Sequence, residues 1–173
     1  MEKIYFSKVK QNAIIPSKEL ENAGYDFYAC FDEDFMEIKP FTTKLVPTGI
    51  AWASSPKYYL QIEERSSTGS KGIKKSAGVV DSGYHGEIFI AITNSNDKPI
   101  VISKLSSEEL STTYPQTFPQ SYPQNAVIYP YSKAIAQGVV HEVPVLEIEE
   151  IPYEELLKIE SKRGTGALGS SNK

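Results

Sequence analysis

Short runs of β-branched and aromatic residues recur along almost the whole chain, and they restrict its fold more than any other feature. They lie at residues 4–6, 43–53, 58–62, 88–93, 100–102, 134–140 and 143–148. Gly, Pro, Asn, Asp and Ser separate these runs. Regularly spaced short strands with turn residues between them are typical of sandwiches, barrels and jelly rolls. The sequence therefore predicts an all-β fold.

Helical signal is weak by comparison. Residues 71–76 follow a Ser-Ser-Thr-Gly turn and are compatible with one or two helical turns. Residues 152–161 are a better candidate, because Pro152 can occupy the first helical position and acidic residues follow it. Lys158 and Lys162 lie towards the end of this segment, where a cation stabilises a helix.

Length and charge limit the class of protein. A chain of 173 residues is expected to form one domain with a sizeable core. The net charge is −4 and the basic residues are scattered, which argues against a nucleic-acid-binding protein. The first residues lack a signal-peptide pattern, and no apolar run approaches the ~20 residues that span a bilayer. We therefore expect a cytoplasmic protein that does not enter a membrane.

The cysteine and histidine content excludes two kinds of site. Cys30 is the single cysteine, so the chain has no intrachain disulfide framework and suits a reducing compartment. A partly buried structural thiol is favoured for Cys30 over a nucleophile. With two His and one Cys, a dedicated zinc site is not expected.

Residues 78–88 combine an acid and a ring on one turn. They read Gly-Val-Val-Asp-Ser-Gly-Tyr-His-Gly-Glu-Ile, with Asp81 and Tyr84 between two apolar runs. Branched residues on both sides of an Asp-Ser-Gly turn predict a β-hairpin. A hairpin of this kind suits a nucleotide pocket, because the ring can cover a sugar face while the acid acts on a water molecule.

Four other stretches carry polar groups that nucleotide chemistry needs. They are residues 23–29 with Asp26, residues 64–69 with Arg65, Ser66 and Ser67, residues 134–140 with Gln137, and residues 163–171 with Arg163. A guanidinium, hydroxyls and backbone N–H groups all donate hydrogen bonds to phosphate. Each stretch alone is a weak signal, since a lone Arg-Ser-Ser is often only a turn.

Taken in order, the five stretches closely resemble the five motifs of the trimeric dUTP pyrophosphatases (dUTPases). This resemblance implies a β-clip, which is a distorted jelly-roll-like barrel, in a homotrimer whose active sites each draw on all three chains. It also implies the conversion of dUTP and water to dUMP and pyrophosphate with Mg²⁺. By the same resemblance, residues 1–102 and 129–160 form a single β-domain. Residues 161–173 form a flexible glycine-rich tail that closes over a neighbour's nucleotide.

The resemblance assigns roles residue by residue. Asp81 matches the carboxylate that activates the attacking water, and Tyr84 matches the ring that packs under the deoxyribose and excludes a 2′-hydroxyl. Asp26 matches the acid that reaches Mg²⁺ through ordered water. The remaining matches bind substrate: Arg65, Ser66, Ser67, Gln137 and Arg163 on the phosphates, Ser170 and Ser171 after the tail arginine, and Gly78 in the segment 75–80 whose main chain reads uracil.

Five positions depart from the family pattern. Leu168 stands where a Phe usually stacks on uracil, so the base would be covered by an aliphatic side chain. His85 stands where Arg is common, Ser132-Lys133 where an acid-Arg pair is usual, and Glu64 where Pro is usual.

Residues 114–124 repeat an aromatic-Pro-Gln unit three times. Pro donates no backbone hydrogen bond, so this segment cannot be a central strand, and an extended, polyproline-like excursion is expected. Two interpretations stay open. The segment is either a surface loop fixed to the domain by its aromatics, or a docking arm that exposes three aromatics to a protein partner.

The repeat belongs to an extra segment, residues 103–128, and this arrangement resembles the dUTPases of staphylococcal phages. Members of that group also act as inducers that bind the repressor of a pathogenicity island. The resemblance thus implies a bacterial host cytoplasm and a second role in binding a repressor protein through residues 103–128. Two alternatives remain: a dCTP deaminase-type enzyme, which shares the fold, and a purely regulatory protein-binding module.

Overall fold

The computed structural model describes residues 2–119 and 125–166, and it confirms a fold built mainly from β-strands. The chain divides into two units, Met1–Val143 and Pro144–Lys173. The strands all lie in the first unit: β1 (Tyr5–Lys8), β2 (Gly24–Phe27), β3 (Phe35–Ile38), β4 (Thr43–Pro47), β5 (Ile50–Ala53), β6 (Tyr58–Glu63), β7 (Ile73–Lys75), β8 (Val79–Val80), β9 (Phe89–Asn94), β10 (Ile100–Ser103), β11 (Val127–Pro130) and β12 (Ala136–Glu142). The described part of the first unit also holds two helices, α1 (Ser66–Gly69) and α2 (Ser107–Thr113).

Among the described residues the strands form four small sheets. Their strand orders are β1-β5, β11-β10-β3, β2-β12-β6-β8 and β4-β9-β7. β10 and β11 run parallel, and the other pairs run antiparallel. Neighbours in the sequence are rarely neighbours in a sheet, so most pairings join distant parts of the chain, as in jelly-roll folds.

The core fills the space between these sheets. Every residue of β10 is buried, whereas buried residues alternate along β6, as at Leu60 and Ile62, and Ile90 and Ile92 of β9 are also buried. Each such side chain stabilises the fold by about 1.5–3 kcal/mol through the apolar surface that it buries. Cys30 belongs to the same cluster, and burial raises the pKa of its thiol. Its environment is that of a structural thiol.

Six of the predicted strand regions contain strands, with region 43–53 split into β4 and β5. The strand predicted at residues 143–148 was wrong. Pro144 removes a backbone donor there, and Val145 and Ile148 are 92% and 95% exposed, so no sheet face covers the predicted apolar side. The predicted helix at 71–76 was also wrong, because that segment is a turn followed by β7.

The segment 78–88 is not a two-stranded hairpin. β8, on one side of the Asp81 turn, pairs with β6, whereas β9, on the other side, pairs with β4 and β7. One of the two partners of β9 is the earlier strand β7. Their pairing extends to a hydrogen bond of 2.9 Å from Ser76 N to Ala91 O. After that point the chain leaves one sheet and joins another, so the turn bridges two sheets.

The extra segment 103–128 contains the helix α2, which lies ahead of the aromatic-Pro-Gln repeat. A capping box starts α2: Glu109 N donates to Ser106 Oγ over 3.2 Å, and Ser106 N donates to Glu109 Oε2 over 2.7 Å. Leu110 and Phe118 are buried with Val101 in a small second cluster, against which Phe35 packs. The polyproline-like conformation was predicted for residues 114–124. It is wrong for residues 114–119, which form a turn in which Tyr114 O accepts from Phe118 N over 2.7 Å.

The aromatic residues of the repeat hold the segment on the domain. Phe118 is 1% exposed, and Tyr114 donates a hydrogen bond of 2.7 Å to Asp34 Oδ2, a contact that raises the pKa of Tyr114. Tyr122 lies outside the described residues. Tyr114 and Phe118 thus confirm the interpretation of a surface loop fixed to the domain by its aromatics. The other interpretation, a docking arm with exposed aromatics, is wrong for Phe118 because its ring is buried.

The second unit is described for residues 144–166. It contains α3 (Tyr153–Leu156), which is shorter than the predicted helix 152–161. Pro152 precedes the helix as its N-cap instead of filling the first helical position. Within residues 2–119 and 125–166, no helix has the length and apolar character needed to cross a membrane.

Candidate active site

Five of the predicted site residues line one cavity of about 460 Å³, which we call the Arg65 cavity: Asp26, Arg65, Ser66, Ser67 and Gln137. The register of the central sheet brings them together. Gln137 on β12 lies opposite Asp26 on β2 and opposite Glu63 at the end of β6. The chain then turns at Arg65 into α1, which begins with the two serines.

Arg65 and Asp26 form a two-pronged ion pair. Arg65 Nε lies 3.0 Å from Asp26 Oδ1, and Arg65 Nη2 donates to Asp26 Oδ2 over 3.3 Å. Arg65 Nη1 also donates to the carbonyl of Ala134 over 3.3 Å. Both charged side chains are about one-third exposed (31% and 32%), so solvent screens their attraction. An anion in this cavity must therefore share Arg65 with Asp26, or arrive with a cation that balances Asp26.

The Arg65 loop is held from inside by Thr68. The buried Thr68 hydroxyl accepts from Arg65 N over 3.1 Å and donates to Arg65 O over 2.9 Å. Ser66 and Ser67 are exposed on the same loop, where their hydroxyls can reach a ligand. The loop thus offers a guanidinium and two hydroxyls on a fixed backbone.

Gln137 is fixed by a tight contact with β2. Its Nε2 donates to Glu64 O over 2.9 Å. A Cβ on Gly24 would lie only 2.7 Å from Gln137 Oε1, so a larger residue at position 24 would displace the amide. The Gln137 side chain therefore packs against the strand that carries Asp26.

Asp81 and Tyr84 line a second cavity of about 310 Å³, which we call the Tyr84 cavity. The Asp81 side chain is exposed, while its carbonyl accepts from Trp52 Nε1 over 3.2 Å and from Tyr84 N over 3.1 Å. Trp52 is almost completely buried. The turn is thus anchored to the core through its backbone, which leaves the carboxylate open to solvent.

The Tyr84 ring is fixed across the turn. Its hydroxyl donates to Glu87 O over 2.9 Å, and the ring is 47% exposed. A Cβ on Gly86 would lie 2.7 Å from Tyr84 Cζ, so the ring lies directly against the backbone of Gly86. A ring held in this way presents a flat apolar surface three residues from a carboxylate.

Gly78 lies where the chain approaches β6 closely. Its carbonyl accepts from Ile62 N over 2.7 Å. A Cβ on Gly78 would lie 2.5 Å from Gln61 Nε2 and 2.8 Å from the carbonyl oxygen of Ile62. Only glycine fits there without a shift of its neighbours.

Within one chain, the structure does not bring all the predicted residues together. The Arg65 cavity and the Tyr84 cavity share no lining residue. Arg163 lies in the second unit, where its Nε donates to Gly166 O over 2.8 Å. Leu168, Ser170 and Ser171 lie outside the described residues.

A third cavity, of about 390 Å³, shares Asp26, Arg65 and Ser67 with the Arg65 cavity and is also lined by Ser132 and Lys133. The Ser132-Lys133 pair, which departs from the family pattern, thus lies beside the predicted phosphate site. In the described parts of the chain, no group of three or more His, Cys, Asp or Glu could hold a metal ion. A metal at this site would need other ligands, such as phosphate oxygens or water.

Sequence reasoning did not assign a role to Trp52 or Glu87. Trp52 is the single tryptophan, and a buried indole N–H usually has a hydrogen-bond partner. The sequence alone could therefore have indicated that Trp52 donates a hydrogen bond. The identity of that partner, the Asp81 carbonyl, depends on the pairing of distant strands. Glu87 accepts a hydrogen bond from Gly49 N over 2.8 Å and so fixes the far side of the turn.

Comparisons with known proteins show which proteins the chain is similar to. A family model described as dUTPase matches residues 10–106, which is more than half of the chain. The deoxyuridine 5'-triphosphate nucleotidohydrolase of Nautilia profundicola is 30% identical over an alignment of 175 residues that covers 99% of each chain.

Two solved structures have a similar fold. One is the dUTPase of Staphylococcus bacteriophage 80alpha with dUPNHPP, solved in work on how phage dUTPases control the transfer of virulence genes; its TM-score is 0.72 at 19% identity, with 100% of both chains covered. The other is a mutant dUTPase of the S. aureus phage phi11, solved to show the coordination of a structural Mg(II) ion. Its TM-score is 0.63 at 16% identity, and the match covers 86% of this chain and 96% of that one.

Proposed function

The chain belongs to the dUTPase family, and we propose that it hydrolyses dUTP to dUMP and pyrophosphate. The observation that carries this proposal is the Tyr84 cavity, where an exposed carboxylate and a fixed ring lie on one anchored turn. The ring supports a deoxyribose, and the carboxylate accepts a proton from water.

Asp81 acts as the general base in this proposal. It takes a proton from a water molecule whose oxygen attacks the α-phosphorus of dUTP. The bond between the α-phosphorus and the bridging oxygen breaks, and pyrophosphate leaves with that oxygen. The hydrogen bonds from Trp52 and Tyr84 to the Asp81 carbonyl support this role, because they restrain the turn without occupying the carboxylate.

The Arg65 cavity binds the phosphates. Arg65 contributes N–H groups beyond those that contact Asp26 and Ala134, since a guanidinium has five donors. Ser66, Ser67 and Gln137 lie around the same cavity and add neutral donors. Together these groups stabilise negative charge as it moves onto the leaving pyrophosphate.

The residues present fit Mg²⁺ as a partner of the phosphates. Both oxygens of Asp26 already contact Arg65, so a link through water suits this acid better than direct coordination. Mg²⁺ commonly keeps several waters and binds phosphate oxygens. When bound, it would neutralise phosphate charge, and Asp26 would hold its water shell.

The tail completes the site in a trimer. We assign Arg163 to the terminal phosphate, Leu168 to the base, and Ser170 and Ser171 to the phosphates, as the resemblance to the family implies. The separation of the two cavities within one chain supports an assembly in which different copies contribute different parts.

The test is pyrophosphate release from dUTP, UTP, dTTP and dCTP with Mg²⁺, for the wild-type protein, Asp81→Asn and Asp97→Asn. Asp97 is an exposed turn residue outside both cavities and serves as the matched control. We expect release from dUTP alone, lost in Asp81→Asn and kept in Asp97→Asn. No pyrophosphate release from dUTP would overturn the proposal. In that case, ammonia from dCTP would indicate a deaminase, and no reaction with any of the four nucleotides would indicate a regulatory module.

A second function, binding of a pathogenicity-island repressor, is proposed for the segment 103–128. The full-length match to the 80alpha dUTPase supports it, because that match extends through this segment. Since Leu110 and Phe118 are buried, deletion would damage the fold, so exposed residues are the better targets. Thr113→Lys with Gln116→Lys should weaken binding to a staphylococcal pathogenicity-island repressor and leave dUTP hydrolysis unchanged. Equal binding by this variant would exclude this surface.

A further inference from the structure

Glu64 joins the Arg65 loop to the segment 75–80, which we call the base arm. Glu64 Oε1 accepts a hydrogen bond of 3.1 Å from Lys75 N, eleven residues further along the chain. The loop closed by this contact carries Arg65, both serines and α1. Glu64 is partly buried, so water competes less for this bond than it would at the surface.

The backbone of Glu64 is held on the other side. Its carbonyl accepts from Gln137 Nε2 over 2.9 Å. Gln137 in turn lies opposite Asp26 in the sheet register. Glu64 therefore has a fixed position from which its side chain can restrain the base arm.

Lys75 has one backbone contact and one side-chain contact with Glu64 and Glu63, and the side-chain pair is the weaker because solvent screens it. Glu64 accepts its N–H, and Glu63 Oε2 lies 3.3 Å from its Nζ. Lys75 is the last residue of β7, and after one further hydrogen bond, from Ser76 N to Ala91 O, the chain leaves the β4-β9-β7 sheet and crosses to β6. The contact with Glu64 thus fixes the point from which the base arm departs.

We propose that Glu64 is a positioning residue for base recognition, which acts by fixing the base arm at Lys75. This proposal rests on the proposed function and on the resemblance to the family, which implies that the main chain of residues 75–80 reads uracil. The family usually has Pro at this position, and a proline side chain cannot accept a hydrogen bond. The contact is therefore a feature of this chain's own sequence.

The role predicts an effect on the base and not on the phosphates. In Glu64→Ala the Gln137 contact to the Glu64 carbonyl and the Arg65–Asp26 pair can both persist, because neither uses the Glu64 side chain. We expect KM for dUTP to rise about tenfold with kcat within about twofold, the effect of losing one charge-assisted hydrogen bond. The preference for dUTP over dCTP should fall, while inhibition by inorganic triphosphate should be unchanged.

Two matched variants separate positioning from general damage. Glu64→Gln keeps an oxygen acceptor at the same place and should restore KM to within about threefold of wild type. Glu63→Gln changes the neighbouring glutamate, whose carboxylate pairs with the Lys75 ammonium. This pair is partly exposed, so the variant should change KM by less than about twofold.

The measurements are steady-state kinetics and amide hydrogen exchange at Lys75 by NMR. Exchange at Lys75 should accelerate in Glu64→Ala and return in Glu64→Gln. Equal losses of kcat on all nucleotides, weaker inhibition by inorganic triphosphate, or failure of Glu64→Gln to rescue would overturn the positioning role. A wild-type protein without pyrophosphate release would overturn the proposed function and the base role together, whereas the exchange data would still report whether the contact restrains Lys75.

Discussion

At the scale of single residues, the candidate site depends on glycines that let side chains touch the backbone. Tyr84 lies against Gly86 and Gln137 lies against Gly24, in each case with no room for a Cβ. Both side chains belong to the proposed substrate pocket. The backbones of these two glycines thus limit the orientation of Tyr84 and Gln137.

Gly86→Ala should weaken discrimination against UTP. The new Cβ would lie 2.7 Å from Tyr84 Cζ, so the ring must move and open space beside the sugar. We expect the preference for dUTP over UTP, measured as the ratio of kcat/KM values, to fall by about tenfold or more, as for other steric discriminations in a pocket.

Gly83→Ala is the matched control for this experiment. It lies on the same turn, but a Cβ there would meet no atom within 4 Å. Its preference for dUTP should equal that of the wild type. Equal selectivity in Gly86→Ala and Gly83→Ala would show that Tyr84 does not discriminate between the sugars.

The sequence predicts the residue types of the site better than their contacts. Asp81 and Tyr84 are three residues apart, so their presence on one turn could be predicted from local pattern. Arg65 and Asp26 are far apart in the sequence, and their ion pair follows from the register of β2, β12 and β6. Similarly, the contact from Trp52 to the Asp81 carbonyl could not be predicted without the arrangement of the strands.

At the scale of elements, composition predicts seven of the twelve described strands, missing β2, β3, β7, β8 and β11, and it does not predict which strands pair. The Asp81 turn has the local pattern of a hairpin, yet β8 and β9 join different sheets because each pairs with a strand from elsewhere in the chain. The sequence signal for α2 is the capping box of Ser106 and Glu109, which lies ahead of the Pro-rich repeat and was not used in the prediction.

Phe118→Ala should destabilise the protein through the small cluster beneath α2. Phe118 is buried and packs edge-on against Phe35, with ring centroids 4.7 Å apart. Removing a buried aromatic ring leaves a cavity, and we expect the free energy of unfolding to fall by about 3 kcal/mol. Urea denaturation at constant temperature would measure this loss.

Thr117→Ala provides the comparison, because the Thr117 side chain is exposed beside Phe118. Its unfolding midpoint should lie close to that of the wild type. Well below the unfolding transition, both variants should keep wild-type dUTP hydrolysis, since the cluster lies outside the Arg65 and Tyr84 cavities. An unchanged midpoint for Phe118→Ala would mean that this cluster contributes little to stability.

At the scale of the whole molecule, the proposed function divides a nucleotide site between the two cavities of one chain. In that proposal the Arg65 cavity supplies the donors for phosphate, and the Tyr84 cavity supplies the general base and the ring under the sugar. Because they share no lining residue, a homotrimer can join the Tyr84 cavity of one copy to the Arg65 cavity of another. Each copy would then contribute to more than one site.

Mixing two inactive variants tests this arrangement directly. Asp81→Asn removes the catalyst from the Tyr84 cavity, and Arg65→Ala removes the phosphate ligand from the Arg65 cavity. If a site takes these halves from different copies, some sites in mixed trimers combine an intact Asp81 with an intact Arg65. Random assembly of equal amounts should place both intact groups in about a quarter of the sites.

The two variants should be unfolded together, refolded as a mixture, and assayed for pyrophosphate release from dUTP at a mass that light scattering shows to be trimeric. We expect about 25% of wild-type activity, provided that random exchange of copies is complete. Each variant refolded alone controls for residual activity, and a mixture combined after refolding controls for exchange. Activity no greater than the sum of the separate variants would show that Asp81 and Arg65 of the same chain serve the same site, because then every site in the mixture carries one defect.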